Sequence, residues 1–198
     1  MTSLRKLILL VTAVAAGACA SNSGTVASPV ASPTAAAQPR SAGCGPATPA
    51  ETEGPFYKAG PPEKASLLEP GMSGTKLSLS GVVRDTSCAP IRGARVDFWQ
   101  ADAAGAYDNQ GYRLRGYQLT NASGRYALET VVPGEYPGRT VHIHVKVTPP
   151  GRATLTTQLF MPGVARNESD SIYNPALLMK VRDGGAAKIA TFDFVLAR

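Results

Sequence analysis

The sequence contains two histidines, and both lie in the tripeptide His142-Ile143-His144. In a β-strand, residues two positions apart share a face, with Cα atoms about 6.6 Å apart, so both imidazoles could bind one metal ion. The opposite face of this segment is apolar, with Val141, Ile143, Val145 and Val147. The pattern therefore predicts a strand that packs one face into the core and presents two metal ligands on the other. The alternative is two polar residues on a solvated face.

Two histidines are too few for a three-histidine zinc site or a histidine-rich cupin site. A ferrous site made of two histidines and one carboxylate stays open, although the residues directly after His142, Ile143 to Lys146, include no Asp or Glu. The seven tyrosines are the other candidate ligands. A phenolate is a hard anionic donor that favours Fe(III) over Fe(II), and a trivalent ion overcomes the phenol's solution pKa of about 10.

The elements that would position these side chains are short strands. Apolar and polar residues alternate, with β-branched residues enriched and Gly, Pro and Asn between the segments, at 77–83, 96–99, 126–131, 141–147, 155–160 and 189–196. Such segments indicate an all-β fold, an antiparallel β-sandwich whose long loops carry the metal site, over residues 46–198. A short helix is expected only around 175–180, in the least regular part of the domain.

The N-terminus has the pattern of an export signal. Two basic residues at 5–6 precede an apolar segment at 7–16 that is too short to span a bilayer, and small residues lie before Cys19. Residues 1–20 are therefore predicted to be a signal peptide. Cys19 is a candidate for lipidation, which would tether a lipoprotein to a membrane, whereas plain cleavage next to Cys19 would release the protein. In both cases we expect an exported protein: extracellular, periplasmic or membrane-anchored.

Residues 21–45 contain mainly Ser, Ala, Thr, Pro and Gly with one charge, Arg40, and are predicted to be a disordered linker. Cys44, near the end of this linker, is one of three cysteines in the chain. If lipid consumes Cys19, Cys44 and Cys88 remain, and a disulfide between them is the simple expectation in an oxidising compartment. Two unpaired thiols are the alternative.

Charge and motifs argue against several classes of function. The formal net charge is +6, but no run of Lys and Arg with interleaved aromatic residues indicates a nucleic-acid-binding surface. The sequence has neither a glycine-rich dinucleotide motif nor a P-loop, so neither nicotinamide nor flavin is expected as a cofactor.

Five segments, in the same order along the chain, resemble motifs of the intradiol ring-cleavage dioxygenases. They are 52–57 (TEGPFY), 93–107 (GARVDFWQADAAGAY), 115–126 (RGYQLTNASGRY), 133–144 (PGEYPGRTVHIH) and 157–163 (TQLFMPG). The resemblance covers residues 50–182, and agreement of five motifs in order is far more specific than any one of them. It implies a β-sandwich enzyme that holds a non-haem Fe(III) ion.

The resemblance also implies roles for individual residues. The positions of the family's four iron ligands match Tyr107, Tyr136, His142 and His144. Tyr136 matches the ligand that leaves the iron when substrate binds and can then accept a substrate proton. Arg139 matches an arginine that offsets anionic charge on the bound ring, and Gln158 matches a glutamine close to the ligands.

The implied reaction inserts both atoms of O2 into a catechol-type ring between its two hydroxyl-bearing carbons and gives a muconate-type dicarboxylate. The implied partners are a catechol-type small molecule and O2, with no nucleic acid, and the motifs do not specify an oligomeric state. The segment between Tyr136 and His142 is shorter than in protocatechuate-type members, and no helical N-terminal dimerisation region like that of the intracellular catechol enzymes is expected, so the ring substituents are left open. The alternative function is a non-catalytic β-sandwich that binds a ligand at the end of a lipoprotein tether.

Overall fold

The computed structural model describes residues 44–198, and this part of the chain contains nine strands and two short 3-10 helices. The strands are β1 (Lys76–Asp85), β2 (Arg95–Trp99), β3 (Arg115–Leu119), β4 (Arg125–Val131), β5 (His142–Thr148), β6 (Leu155–Phe160), β7 (Lys180–Asp183), β8 (Ala187–Thr191) and β9 (Phe194–Leu196). The 3-10 helices are Ala165–Glu168 and Pro175–Leu177. The predicted signal peptide, the lipidation candidate Cys19 and nearly all of the predicted linker lie outside the described residues.

The strands form two sheets with a common hydrophobic core. One sheet has the order β4-β1-β8-β7, with β9 pairing with the later part of β1, and the other has the order β3-β2-β5-β6. Neighbouring strands are antiparallel except that β1 runs parallel to β8 and to β9. The prediction of an all-β, antiparallel sandwich is confirmed for most of the pairings, and the two parallel pairings were not predicted.

The core is built from alternate residues of the strands. In β1 and β5 the core residues that are exposed by 1% or less are Leu77, Leu79, Val83, Ile143, Val145 and Val147. Burying one Val, Leu or Ile side chain contributes about 1.5–3 kcal/mol to the free energy of folding. Because side chains alternate along a strand, the burial of Ile143 and Val145 in the core turns His142 and His144 to the opposite face of β5.

The end of the chain forms two strands where the sequence predicted one over 189–196. Gly81 of β1 touches the backbone of Phe192, because a Cβ on Gly81 would lie 1.7 Å from the Phe192 carbonyl oxygen. The hydroxyl of Tyr126 donates to the same oxygen at 2.8 Å. The N–H of Val82 donates to the Asp193 carboxylate at 2.8 Å instead of to a backbone carbonyl. The chain therefore leaves the ladder at residues 192–193, and its pairing with β1 resumes in β9.

Strands β3 and β7 were not predicted from the sequence. The helix expected around 175–180 is a single 3-10 turn at Pro175–Leu177, and Lys180 already begins β7. β3 contains Gly116 where a β-branched residue would be typical of a strand. A Cβ at this position would lie only 2.8 Å from the side chains of Leu67 and Lys64. Residues 44–198 contain no helix that is long and apolar enough to cross a membrane.

Cys44 and Cys88 form a disulfide bond, with their sulfur atoms 2.06 Å apart. The bond joins the first described residue to the turn that follows β1. It therefore fixes the start of the segment that leads to residues 49–58, which cover the face of the sheet where the two histidines lie.

Candidate metal centre

His142 and His144 lie side by side on the face of β5 opposite the core. They are exposed by 2% and 0%, respectively, although they face away from the packed sheets. The alternative of two polar residues on a solvated face is therefore wrong. Their Nε2 atoms are 3.1 Å apart, which is close enough for both nitrogens to bind the same ion.

Hydrogen bonding determines which nitrogen of His142 is free to bind a metal. Its Nδ1 donates to the Thr140 carbonyl oxygen at 2.6 Å, so Nε2 carries the lone pair. Burial lowers the pKa of His142 to about 4, and burial followed by the proximity of His142 lowers the pKa of His144 well below its ordinary value. Both imidazoles are therefore neutral at pH 7, which is the form that binds metal ions.

Two tyrosines approach these histidines from loops. Tyr107 lies in the loop between β2 and β3, and Tyr136 lies in the loop between β4 and β5. Their ring centroids are 5.7 Å apart. The Tyr136 ring is 5.6 Å from the His142 ring, and the Tyr107 ring is 6.3 Å from the His144 ring. The structure thus brings together all four residues that the sequence suggested as ligands.

The surroundings of the two phenols suit binding to a cation. The hydroxyl oxygen of Tyr107 is buried and has no hydrogen bond within the described part of the chain. Burial, and then the neighbouring Tyr136, raises the pKa of Tyr107, and burial also raises the pKa of Tyr136. A buried phenol ionises at neutral pH only when positive charge lies beside it, so a metal ion would both satisfy the Tyr107 oxygen and favour the tyrosinate.

Two glycines allow the loops that carry the tyrosines to cross. A Cβ on Gly105 would lie 2.1 Å from the Glu135 carbonyl oxygen, and Gly105 has a φ of +85°. A Cβ on Gly134 would lie 2.5 Å from the backbone nitrogen of Gly105. The Asp102 carbonyl oxygen accepts a hydrogen bond from the Gly134 N–H at 2.7 Å. Backbone contact between the loops therefore fixes the distance between the two tyrosines.

Arg139 lies against Tyr136 and is held by two other polar side chains. Its Nη1 donates to the Tyr136 hydroxyl at 3.4 Å. Its Nε donates to the Asp170 carboxylate at 3.0 Å, and its Nη2 donates to the Gln158 side-chain oxygen at 2.5 Å. Gln158 in turn donates to the Thr52 carbonyl oxygen at 2.9 Å. Arg139 and Gln158 are therefore both at the centre, and Asp170, which sequence reasoning missed, orients Arg139.

Aromatic side chains form the walls of the centre. Trp99 stacks on His144, with ring centroids 4.8 Å apart and planes inclined by 8°. Phe56 stacks on Tyr107 at 4.2 Å. Sequence reasoning placed Phe56 within residues 54–57 at the mouth of the site and gave Trp99 no role. Trp99 is the only tryptophan of the chain and lies in a period-2 strand, two positions after Asp97. Its contact with His144 arises from the register of β2 against β5, which pairs the two residues and which the sequence pattern does not specify.

The alternative ferrous site, with two histidines and one carboxylate, does not fit. Within residues 44–198, no group of three or more His, Cys, Asp or Glu side chains could hold a metal ion. The side chains that could complete a ligand set near His142 and His144 are instead the phenols of Tyr107 and Tyr136. Two neutral nitrogen donors with two hard anionic oxygen donors fit a ferric ion.

The fold and this centre define a β-sandwich protein with a candidate metal site made of histidines and tyrosines. Residues 52–197 match the model of a protein family described as "Dioxygenase". Hydroxyquinol 1,2-dioxygenase from Nocardioides simplex is 33% identical over 153 residues, which cover 65% of this chain and 52% of that enzyme. The chain thus spans about half the length of this relative.

Solved structures show the same similarity. The dioxygenase domain of a dioxygenase–carbohydrate-binding protein fusion from Streptomyces sp. SirexAA-E is 50% identical with a TM-score of 0.75, over 77% of this chain and 99% of that chain. For 3-chlorocatechol 1,2-dioxygenase from Rhodococcus opacus 1CP the identity is 28% and the TM-score 0.71, over 79% and 74% of the two chains. This chain therefore belongs to the intradiol ring-cleavage dioxygenase family, as its motifs predicted, and that family uses iron.

Proposed function

We propose that this protein is an Fe(III)-dependent intradiol dioxygenase that acts on catechol-type aromatics. It inserts both atoms of O2 between the two hydroxyl-bearing ring carbons and releases a muconate-type dicarboxylate. The observation that carries this proposal is the convergence of two neutral imidazoles and two phenols in one buried centre that has no carboxylate ligand. Relatives named hydroxyquinol, catechol and chlorocatechol 1,2-dioxygenase support the class of substrate.

The side chains of Tyr107, Tyr136, His142 and His144 would hold the iron, and a bound ferric ion supplies a Lewis acid for the two oxygens of the catechol. Tyr136 is the residue placed to accept a substrate proton. It is only partly buried, unlike the two histidines, and its hydroxyl lies beside the Arg139 guanidinium. Arg139 favours the tyrosinate, and the tyrosinate is a strong enough base for a catechol hydroxyl.

Arg139 also offsets the negative charge that a doubly deprotonated ring carries. Asp170 and Gln158 hold its guanidinium in place before substrate arrives, so the charge is stabilised without reorganisation. Burial alone would raise the pKa of Asp170, but hydrogen bonds from the N–H groups of Thr140 and Ile172 and from Arg139 outweigh it and lower that pKa. The Asp170 carboxylate is therefore ionised at neutral pH and balances the charge of Arg139.

The aromatic walls suit a planar ring and limit the access of water. Trp99 closes the centre behind His144, and Phe56 covers one face of Tyr107. Gly54 approaches His144 so closely that a Cβ would lie 3.2 Å from Cε1. Exclusion of water from such a site strengthens the charge interactions inside it and protects reactive species from hydrolysis.

Product analysis tests the proposed reaction directly. The iron-loaded protein is incubated with catechol, hydroxyquinol or a chlorocatechol under 18O2, and the product is identified by mass spectrometry. We expect a dicarboxylate that carries both 18O atoms before exchange with water, with O2 consumed at one equivalent per ring. Binding of these compounds without O2 consumption would instead support the ligand-binding module and contradict the enzyme.

We further propose that the protein is exported and that Cys19 carries a lipid. The support is the sequence of residues 1–20 and the Ser-, Ala-, Thr- and Pro-rich segment after it, which suits a spacer between a membrane and a folded domain. Mass spectrometry of the mature protein, expressed in a bacterial host, distinguishes a lipidated Cys19 from plain cleavage. A diacylglyceryl mass on Cys19, lost in Cys19→Ala, is expected, whereas an unmodified N-terminus next to Cys19 means plain secretion.

A further inference from the structure

Arg115 is a buried cation that joins two loops beside the metal centre. It is the first residue of β3 and is exposed by 2%. Its Nη1 donates to the carbonyl oxygen of Phe56 at 2.5 Å, while its Nε and Nη2 donate to the carbonyl oxygen of Asp108 at 3.1 and 2.9 Å. One guanidinium thus ties the segment at 52–57 to the loop that carries Tyr107.

Both acceptors belong to residues that determine where Tyr107 lies. Asp108 is the next residue in the chain, and the Phe56 ring stacks on the Tyr107 ring with planes inclined by 16°. The Tyr107 hydroxyl has no hydrogen bond of its own among residues 44–198. The direction of this phenol therefore depends on its backbone, on the stacked Phe56 ring and on the neighbouring Tyr136 ring, and Arg115 holds the first two.

The guanidinium is costly to bury if its role is only to support the fold. No carboxylate of the described residues lies within ion-pairing distance of Arg115. The nearby Asp108 carboxylate accepts hydrogen bonds from the N–H groups of Gly111 and Arg113 instead. A buried charge without a close counter-charge is unfavourable. The preceding residue, Leu114, is also held at a φ of +54°, which is rare for a side chain of this kind.

We infer that Arg115 is a positioning residue for the metal centre, which holds Tyr107 in the orientation of an iron ligand. This inference rests on the proposed function, because it assigns Tyr107 to the iron. Arg115 makes no hydrogen bond to the Tyr107 hydroxyl, and its guanidinium carbon lies over the Tyr107 ring at 5.9 Å from the centroid. Its hydrogen bonds go to the two loops, so it acts mainly through them. Its planar set of donors can reach two carbonyl groups on different segments, which a lysine ammonium on a flexible stem cannot reproduce.

The test compares Arg115→Lys with Arg113→Lys. Arg113 is two residues away and 44% exposed, and its ion pair with Asp102 spans 3.5 Å, so it controls for a change of the same chemical kind. The readouts are the tyrosinate-to-iron absorption band per bound iron, the affinity for ferric iron, and the melting temperature of the iron-free protein. We expect Arg115→Lys to shift or at least halve the band and to weaken iron binding at least tenfold, and Arg113→Lys to leave both unchanged.

Chemical rescue separates positioning from support of the fold. Arg115→Ala leaves a cavity that guanidinium ion can enter, and we expect millimolar guanidinium to restore the band, which a general stabiliser would not do. If Arg115→Ala does not fold, Arg115→Lys decides alone. The inference is overturned, and the proposed function left intact, if wild-type protein has the tyrosinate band and the Arg115→Lys variant has the same band and the same iron affinity. Wild-type protein without the band overturns the proposed function itself, and the inference with it.

Discussion

The Nε2 atoms of His142 and His144 lie 3.1 Å apart in a site where neither side chain is exposed by more than 2%. Two neutral imidazoles can place at most one proton between these nitrogens, whereas a metal ion accepts both lone pairs. The phenol of Tyr107 lies nearby with a buried oxygen that has no hydrogen bond among the described residues. The same ion would satisfy the histidines and this oxygen together.

Tyr136→Phe tests the proton acceptor. The variant keeps the ring but loses the hydroxyl that Arg139 contacts, so we expect turnover of catechol to fall by about 100-fold or more. Tyr117→Phe is the control, because the Tyr117 hydroxyl contacts only Glu63 at 3.1 Å on the surface. Steady-state O2 consumption measures both variants. Turnover of Tyr136→Phe within threefold of wild type would remove Tyr136 from the mechanism.

Gly54→Ala tests the contact between residues 52–57 and the centre. Gly54 has a φ of +69°, and an added Cβ would lie 3.2 Å from Cε1 of His144. Gly151 has a φ of +67° with nothing within 4 Å of an added Cβ. Gly151→Ala is therefore the control, because it introduces the backbone strain without a steric contact. Both variants should lose about 1–2 kcal/mol of stability. Only Gly54→Ala should change the visible spectrum and turnover, and equal behaviour of the two would rule out the contact.

Asp170→Asn tests the support of Arg139 and has a pH signature. The pKa of Asp170 is lowered in the folded protein, so its contribution to stability is present above the unfolded pKa of about 3.9 and is lost as pH falls through the folded pKa. The free energy of unfolding of wild type should therefore fall more steeply below pH 4 than that of Asp170→Asn. Turnover at pH 7 should also fall by about tenfold or more, since Arg139 loses its charged partner. Parallel pH profiles of the two proteins would contradict this role.

The disulfide between Cys44 and Cys88 closes a loop of 44 residues. Its removal should lower the free energy of unfolding by about 2–4 kcal/mol, because the unfolded chain regains conformational entropy. Urea unfolding of wild type and of a Cys44→Ala, Cys88→Ala double variant, with and without reducing agent, measures this loss. Reducing agent should affect wild type and leave the double variant unchanged. Equal stability of oxidised wild type and the variant would show that the bond does not restrain the domain.

The parts of the fold that local patterns specify were predictable, and the parts that distant contacts specify were not. Alternation of apolar residues located β1, β2, β4, β5 and β6, because each of these strands packs one apolar face into the core. The break between β8 and β9 arises because Gly81 receives the Phe192 backbone, from 111 positions away in the chain. No pattern within residues 189–196 records that contact.

The same division holds for the candidate metal centre. His142 and His144 could be found because a strand places residues two apart on one face, and Tyr107 and Tyr136 because of their spacing from that pair within the family motifs. Asp170 lies 31 positions after Arg139, in the irregular segment before β7, and only the folded chain brings the two together. The role of Arg115 was not predicted for the same reason. Both of its acceptors are backbone carbonyls, and no pattern of side chains in the sequence indicates them.

The visible absorption spectrum of the purified protein, with the iron content of the same sample, tests the metal centre most directly. We expect a coloured protein with about one iron per chain and a broad tyrosinate-to-Fe(III) band that shifts when catechol is added without O2. A colourless protein that takes up no ferric iron would contradict the assignment of Tyr107, Tyr136, His142 and His144 as its ligands.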